Sequence, residues 1–501
     1  MDDHLALLGI LNSSTVGFWG RQIMFNKGGG GSATKMAADA WENFFEWSGM
    51  NVGKCPLPSE LNDARLISRA MDALGSEAIE GCESLKVGAI QAQDVYAQAA
   101  TTRLARMIGL QEELDWLVYR LYGLRSDNTL EWPDLDTLPP VKLGERACEI
   151  VMARKIEAGK LQTTWFERHG STPIMEVPSH WPAAYRALIE ARINVIERDA
   201  SIGMIEQPEF KRRWNHEAWE VTWRNALTER FLDKVEALAV WRGDEPTPKS
   251  VAQLADLLAR DPEAIELAEH LTGTEAPEMA PFLAELLKDE HVPCAAGARY
   301  TESGLRKRQS WEATWDLQRK EDAIDALIGT AGFDAHAAKM RKSREVGKIL
   351  VPPKYDVKDF SKASYWQARG KLDVPKERFI SYPLAAGDKP TDLVLGWAGW
   401  DYFQQAQALV ALIHRQQEAG ATERILPLLQ GLKELIPWLS QWFGKHVEFG
   451  DLGLFFHGTW LENISQAATT TEAVSGWVLQ KSMGKPVKKV KVKSREGDDE
   501  E

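Results

Sequence analysis

Apolar residues recur three or four positions apart along most of this chain, which is the spacing that places them on one face of an α-helix. The first such pattern runs from Leu5 to Gln22 and stops before Asn26 and a run of four glycines, Gly28 to Gly31. We predict further helices at residues 59–75, 91–110, 111–122 and 182–199, from Asp401 onward, and in the segment LLQGLKELIPWLSQWFG. The chain is therefore expected to be chiefly helical.

Local capping signals and two short apolar runs refine this picture. Ser250 and Gln253 fit a capping box, and Asp261 followed by Pro262 fits an N-cap with proline at the first helical position. The runs ERFISYP and DLVLGWAGW are short, apolar and β-prone, which indicates strands. We therefore predict a mainly α fold with small α+β parts.

Composition restricts the class of protein. With 501 residues, 44% hydrophobic and 27% charged, the chain can bury sizeable cores and is not disordered as a whole. No apolar run approaches the ~20 residues that cross a bilayer, and the acidic amino terminus is not a signal peptide. No membrane partner is therefore expected. The four cysteines form no C-x-x-C pair, which predicts reduced thiols in a cytoplasmic protein and no zinc site. They are Cys55, Cys82, Cys148 and Cys294.

Charge is distributed unevenly along the chain, whose net charge is −13. Residues 244–290 hold twelve acidic and three basic residues, a balance that would repel DNA and could face a protein partner or solvent. Residues 339–378, which we call the basic interval, hold twelve Lys or Arg against five acidic residues. This interval is typical of contact with a nucleic-acid backbone and equally of a solvated surface. Four aromatic residues are interleaved with its basic ones: Tyr355, Phe360, Tyr365 and Trp366.

Candidates for DNA contact come from two regions. The first surrounds the glycine run, where a phosphate could approach backbone N–H groups, although a flexible loop after a core helix would look the same. The second is the basic interval. The candidates are Arg21, Lys27, Lys35, Arg341, Lys342, Arg344, Lys348, Lys354, Lys358 and Lys362.

Two other polar groups have alternative interpretations. His169, Glu176 and His180 lie in or beside a proline-containing loop, but their spacing matches no recognised metal or catalytic set. Structural loop residues are therefore favoured there. The basic run at residues 211–213 could touch a phosphate backbone or form the solvated face of a helix.

Several stretches resemble a known family. LLGILNSST, FW, NKGGG and the aromatic segment that closes on CPLP resemble the start of the target-recognition region of large adenine-specific DNA methyltransferases. The resemblance is to the PglX-type enzyme of type 2 BREX phage-defence systems, and residues 143–214 and 364–420 resemble later parts of the same family. In that family a catalytic domain precedes this region. The resemblance therefore implies a carboxyl-terminal portion from which the catalytic domain is absent.

With this resemblance the chain divides into five predicted parts. They are a partial target-recognition region with packing helices (1–124), a helical domain (143–243), an acidic helical segment (244–330), a basic α+β carboxyl-terminal domain (331–480) and a disordered tail (481–501).

The sequence lacks the motifs of amino-group methylation. Such an enzyme needs a glycine-rich loop for S-adenosylmethionine and an Asn/Asp-Pro-Pro-aromatic tetrapeptide that holds the flipped adenine. The two proline pairs, at 139–140 and 352–353, lack these flanking residues, and the glycine run lacks the ending of a P-loop. We predict no catalytic, cofactor-binding or metal residues in this chain. S-adenosylmethionine would be bound by the catalytic domain.

Three functions are consistent with these observations. The first is the DNA-recognition and carboxyl-terminal part of an adenine-specific DNA methyltransferase of a BREX system, not catalytic on its own. It would bind double-stranded DNA, and it would be either a fragment of the enzyme or one half of a split enzyme whose catalytic half is a separate polypeptide. Other defence-system proteins are further candidate partners. The alternative is a non-enzymatic interaction protein of the same system, which meets its partners through the acidic segment. The third is an unrelated enzyme that uses the loop between His169 and His180.

Overall fold

The computed structural model describes residues 2–28, 39–87, 93–214, 218–243, 245–330, 332–370, 376–387 and 389–479. The chain forms two compact units, Met1–Arg230 (unit 1) and Phe231–Glu501 (unit 2). Both are built mainly from helices, and the described residues of each contain a small sheet, which confirms the predicted fold class. The finer division into five parts stays a prediction.

Unit 1 is a set of helices around one large hydrophobic core, with a two-stranded antiparallel sheet beside it. The core is formed mainly by apolar side chains of the helices, including Ile10, Trp116 and Tyr185. The helices are α1 (Asp2–Leu11), α2 (Ser14–Ile23), α3 (Gly49–Val52), α4 (Ala64–Val87), α5 (Gln93–Leu121), α6 (Ala147–Glu157), α7 (Trp165–Arg168), α8 (Ala183–Arg198), α9 (Ala200–Ile205) and the first part of α10 (Trp219–Ala237), and the strands are β1 (Phe25–Gly28) and β2 (Phe44–Glu46).

Three helix boundaries in unit 1 differ from the sequence prediction. The first helical pattern is interrupted at Ser13, whose side chain caps α2 by accepting a hydrogen bond from the N–H of Val16. The helix predicted from residue 59 begins at Ala64. The two helices predicted at 91–110 and 111–122 are one helix, α5. Acidic residues after Leu110 resemble the first turn of a new helix, but they are buried in the middle of α5.

Unit 2 packs its helices against a four-stranded sheet of order β3-β6-β5-β4, in which only β4 and β5 are parallel. Its strands are β3 (Lys249–Ser250), β4 (His291–Pro293), β5 (Phe379–Tyr382) and β6 (Val394–Trp397). Its helices are α11 (Val251–Leu258), α12 (Pro262–Thr272), α13 (Met279–Leu286), α14 (Ala296–Arg299), α15 (Glu302–Asp325), α16 (Ala335–Glu345), α17 (Ala363–Tyr365), α18 (Tyr402–Glu418), α19 (Leu426–Phe443), α20 (Leu452–Gln466) and α21 (Thr471–Gly476).

The local signals read from the sequence of unit 2 are confirmed. Ser250 and Gln253 form a capping box at α11, and Asp261 caps α12 with Pro262 at its start. The two β-prone runs form β5 and β6, which pair with each other. In the described part of the chain, no helix is both long and apolar enough to span a membrane.

Candidate nucleic-acid interface and the buried charged centre

A fully buried lysine occupies the middle of unit 1. The ammonium group of Lys211 lies within ion-pair distance of three carboxylates: Asp115 (2.8 Å), Glu112 (3.0 Å) and Glu206 (3.3 Å). The Lys211 side chain is 1% exposed, so neither sequence interpretation of it, phosphate contact or solvated helix face, is correct. Burial on its own would lower the pKa of Lys211, but the three carboxylates outweigh burial and raise that pKa well above its ordinary value.

Two of these carboxylates are also anchored by neutral donors. Asp115 accepts hydrogen bonds from the backbone N–H (2.7 Å) and the hydroxyl (2.6 Å) of Ser14, at the start of α2. The hydroxyl of Tyr119 donates to Glu206 over 2.5 Å. These contacts connect α2, α5 and the end of α9 through one charged cluster, which we call the buried charged centre. It comprises Glu112, Asp115, Arg146, Glu149, Glu206 and Lys211.

Arg146 extends the buried charged centre to α6. Its guanidinium is 2.8 Å from Glu149, which also accepts from the indole of Trp165 (3.0 Å) and the N–H of Gly144 (2.8 Å). Burial raises the pKa of Glu149, but the charge and hydrogen bonds of these donors outweigh burial and lower it. A separate buried pair, Arg192 and Glu113 at 2.6 Å, joins α8 to α5.

Three potential metal ligands lie close together at the buried charged centre. Ligand atoms of Glu112, Cys148 and Glu206 lie within 4.8 Å of one another. However, the Lys211 ammonium is in ion-pair contact with both of these carboxylates and supplies the positive charge that a cation would bring. Burial also raises the pKa of the Cys148 thiol well above its ordinary value, whereas a metal ligand would have to be the thiolate. This arrangement therefore fits an ionic core rather than a metal centre.

Glu112 should make the stability of unit 1 depend on pH near neutrality. Burial, reinforced by Glu206 and opposed by Lys211, raises the pKa of Glu112 to about 7. Because this folded-state pKa exceeds the unfolded value of ~4.3, the stabilisation is complete below pH ~4.3 and is lost as the pH rises through 7. Relative to Glu112→Gln, the wild-type free energy of unfolding should fall by up to about 1.4 kcal/mol per pH unit between pH 5 and 7. Urea unfolding of both proteins measures this; a difference that is constant or grows with pH would refute the assignment.

The two histidines of the proline-containing loop have separate partners. His169 is buried, with Nδ1 2.7 Å from the carbonyl oxygen of Trp165 and its ring packed near Trp41 and Trp165. Burial lowers its pKa. His180 instead lies beside Trp181, with the ring centroids 5.9 Å apart. Each ring thus has its own aromatic neighbour, which supports a structural interpretation of both.

In unit 2, part of the basic interval is an irregular segment that lies along α15. Residues 346–356, which we call the strap, offer backbone carbonyls to side chains of that helix. The donors and acceptors are Lys307 to Lys354 (2.8 Å), Trp311 to Pro353 (3.1 Å) and Thr314 to Leu350 (3.3 Å). Successive donors lie later in α15, whereas their acceptors lie earlier in the strap. The strap therefore runs antiparallel to α15.

Asp359 fixes the end of the strap. Its carboxylate is fully buried and accepts from the hydroxyl of Ser303 (2.7 Å), the ammonium of Lys307 (2.5 Å) and the backbone N–H of Asp356 (2.7 Å). Burial raises the pKa of Asp359, but these donors outweigh burial and lower it. The carboxylate therefore holds the strap and the first turns of α15 together as an ion.

Most candidate cations of the basic interval already have partners within the chain. The pairs are Arg341 and Arg344 with Glu345 (3.0 and 2.8 Å), Lys342 with Asp325 (2.8 Å), Lys358 with Asp356 (3.9 Å), and Lys362 with the carbonyl of Lys288 (3.3 Å). Lys348 and Lys354 are exposed and have no carboxylate partner among the described residues. They are therefore available to an external anion.

The interleaved aromatic residues are used for packing. Phe360 and Tyr365 are each 5% exposed and form a hydrophobic cluster with Val292. Tyr355 stacks on Tyr300 with ring centroids 5.3 Å apart. These contacts support a packing role for these rings, so any contact of this surface with DNA would depend on its charges.

The remaining candidates belong to unit 1. Lys27 pairs with Glu46 across the small sheet at 3.0 Å, and both side chains are about half exposed. Arg21 is half-buried at the end of α2, with its guanidinium over the ring of Phe45. Lys35 lies outside the described residues.

Comparison with known proteins connects the chain to methyltransferases. Residues 107–487 match the family described as "Domain of unknown function (DUF7008)". The chain is also similar to "Adenine-specific methyltransferase PglX" of Streptomyces coelicolor (strain ATCC BAA-471 / A3(2) / M145), with 42% identity over 492 residues. That similarity covers 95% of this chain but 39% of the relative's length. It confirms the resemblance to PglX-type enzymes noted in the sequence. No solved structure matches the chain.

Proposed function

The chain belongs to the DUF7008 family, and from this premise we propose that it is the DNA-recognition and carboxyl-terminal part of an adenine-specific, S-adenosylmethionine-dependent DNA methyltransferase of a BREX phage-defence system. The observation that carries this proposal is the 42% identity, over 95% of the chain, to a protein named as an adenine-specific methyltransferase. Because the chain spans only 39% of that relative, the methyltransferase activity itself is part of the proposal.

The absence of the adenine-holding motif from the sequence supports a role in positioning the enzyme on DNA rather than in methyl transfer. Neither proline pair has the Asn or Asp before it and the aromatic residue after it that would hold an adenine. Under this proposal the cofactor and the catalytic tetrapeptide are supplied by a separate part, and this chain alone does not methylate. Incubation of the purified chain with duplex DNA and labelled S-adenosylmethionine should give no methylated adenine.

The surface formed by α15 and the strap supports a role in holding DNA. Lys348 and Lys354 are exposed, lack a carboxylate partner in the described chain, and are positioned by a backbone that α15 holds in place. An unpaired lysine can neutralise a phosphate without first breaking an internal ion pair. Such contacts fix the position of a protein on a duplex without reading its sequence.

Replacing Lys348 and Lys354 together with alanine should weaken binding to duplex DNA. Each lost phosphate contact should reduce the magnitude of the slope of log K against log salt by about 0.9. In the double variant the magnitude of this slope should therefore be smaller by up to about 2. Titration of a labelled duplex at two or more salt concentrations measures both affinity and slope.

The matched control is Lys342→Ala in the same basic interval. Lys342 pairs with Asp325 and Glu321, so its removal should leave affinity nearly unchanged. Equal binding by the double variant and the wild type would contradict the assignment of this surface. If the wild-type chain does not bind duplex DNA at all, the alternative function is favoured, in which the chain is a non-enzymatic interaction protein of the same defence system.

A further inference from the structure

The strap presents two adjacent apolar side chains to solvent. Leu350 is 66% exposed and Val351 is 91% exposed. They belong to a run of five apolar residues, from Ile349 to Pro353. Apolar residues that are exposed singly are ordinary on a protein surface. Two neighbouring ones on a segment held along a helix instead form a candidate contact surface.

Burial along the strap repeats every third residue, which is the period of a polyproline II helix. The strap residues between the covered ones are all exposed. Pro352 and Pro353 favour this conformation, because a proline fixes its own φ and biases the preceding residue toward extended backbone. The strap therefore has one covered side and two exposed sides. The partly covered residues are Val346, Ile349, Pro352 and Tyr355.

One exposed side of the strap carries an apolar residue between two cations. With a period of three, Lys348, Val351 and Lys354 lie in one row. A rise of about 3.1 Å per residue places each lysine about 9 Å from Val351 along the strap. Asp356, the acidic residue of the strap, falls in the other row and is 3.9 Å from Lys358. Because neither lysine of the first row has a carboxylate partner in the described chain, this row complements a polyanion with apolar groups between its charges.

The backbone that carries these side chains is fixed within unit 2. The hydroxyl of Thr314 donates to the carbonyl of Leu350 over 3.3 Å, and the indole of Trp311 donates to the carbonyl of Pro353 over 3.1 Å. Both bonds use backbone acceptors, so they leave the side chains of Leu350 and Val351 free. A ligand that contacts these side chains therefore does not have to order the strap first.

We propose that Leu350, with Val351 beside it, is a wedge that enters a base step of duplex DNA from the minor groove and kinks the duplex. Leucine is among the apolar side chains that unstack a step in this way, and a kink toward the major groove opens the minor groove to the protein. Lys348 and Lys354 would contact phosphates on either side of the opened step. Because pyrimidine–purine steps unstack most easily, the wedge would favour such steps without a hydrogen bond to a base.

This wedge rests on the proposed function, because it requires that the chain bind a duplex, and it adds deformation of the DNA to that function. Energy transfer between dyes at the two ends of a short duplex measures the bend. The wild-type chain should bend the duplex by at least about 20°. It should also bind a duplex with one central mismatched pair at least about tenfold more tightly than the matched duplex, because the mismatch lowers the cost of unstacking.

The double variant Leu350→Ser with Val351→Ser should lose both the bend and the preference for the mismatched duplex. Its salt slope should equal that of the wild type, since no charge is removed. The matched control is Leu461→Ser, because Leu461 is also exposed (47%) in unit 2 but lies on α20. The control should bend DNA as the wild type does. Circular dichroism melting checks folding, and the corresponding double alanine variant replaces the serine variant if that one unfolds.

The outcomes separate the wedge from the proposed function. A duplex that stays straight in the wild-type complex would overturn the wedge, would leave the proposed function standing, and would favour a protein partner for Leu350 and Val351. Equal bending by the double variant and the wild type would overturn it as well. Absence of wild-type binding to any duplex would refute the proposed function and the wedge with it.

Discussion

Replacing Lys211 with methionine should lower the free energy of unfolding of unit 1 by about 3–5 kcal/mol. Methionine has a similar shape, so packing is nearly preserved and the loss is electrostatic. Without the ammonium group, Asp115, Glu112 and Glu206 would be left close together in a site that is nearly inaccessible to water. Removal of one partner costs far more than the pair contributes, because the remaining charges are buried without compensation.

Urea or thermal unfolding, followed by circular dichroism, measures the effect of Lys211→Met. The matched control is Lys160→Met in the same unit, because Lys160 is exposed and its replacement should change stability by less than about 0.5 kcal/mol. The double variant Lys211→Met with Glu206→Gln should recover part of the loss, since it removes one of the uncompensated carboxylates and leaves an amide oxygen that can accept from Tyr119. Equal stability of Lys211→Met and the wild type would show that the buried charged centre is not an ionic core.

Replacing Asp359 with alanine should destabilise the strap and the start of α15 by about 3 kcal/mol, at the lower end of the range for a broken buried pair. The lower end applies because Lys307 is 26% exposed and can be rehydrated. The variant also removes the acceptor for Ser303 and for the backbone N–H of Asp356. Lys348 and Lys354 would then lose their fixed positions, so duplex affinity should fall as well.

Hydrogen exchange of strap amides measures the local effect of Asp359→Ala, and DNA titration measures its consequence. Asp356→Ala is the matched control, because the Asp356 carboxylate is exposed and its contacts are local, to the backbone of residues 357–359 and to the side chain of Lys358. Rapid exchange in both variants would mean that the strap is not held by Asp359. Slow exchange in both would mean that the contacts to Trp311 and Thr314 are sufficient.

Much of the helical framework is predictable because it depends on local signals. Asp401 caps α18 through a capping box, and α8 occupies residues 183–198 within the predicted range of 182–199. The boundary at Gln111 is wrong for a physical reason. Acidic residues after an apolar helix indicate a new helical start only if they are solvated. Those of α5 are buried, and cations from later segments pair with them.

The buried charged centre could not be predicted from local patterns, because its members come from distant parts of the sequence. A signal was nevertheless present in the segment MIGLQEELDWLVYRL, where Glu112, Glu113 and Asp115 interrupt an otherwise apolar helix. Buried carboxylates require partners, so this segment predicts cations elsewhere. The sequence cannot tell which of sixty basic residues supply them.

The candidate interface shows the same limit. The excess of positive charge in the basic interval is visible in the sequence, and so is the i,i+4 spacing of Arg341 and Glu345, but the pairing of Lys342 with Asp325 of α15 is not. Net charge counts residues, whereas affinity depends on which side chains remain unpaired in three dimensions. Lys348 and Lys354 are distinguished from the others only by the path of the strap.

The buried charged centre also determines when unit 1 can be completed during synthesis. Asp115 binds Ser14, 101 residues earlier, and Lys211, 96 residues later. A nascent chain that has emerged only as far as α9 holds the carboxylates but not the ammonium group that neutralises them, so its core stays open. We therefore expect unit 1 to close late in synthesis, after nearly its whole length has emerged, because contacts of such long range form slowly.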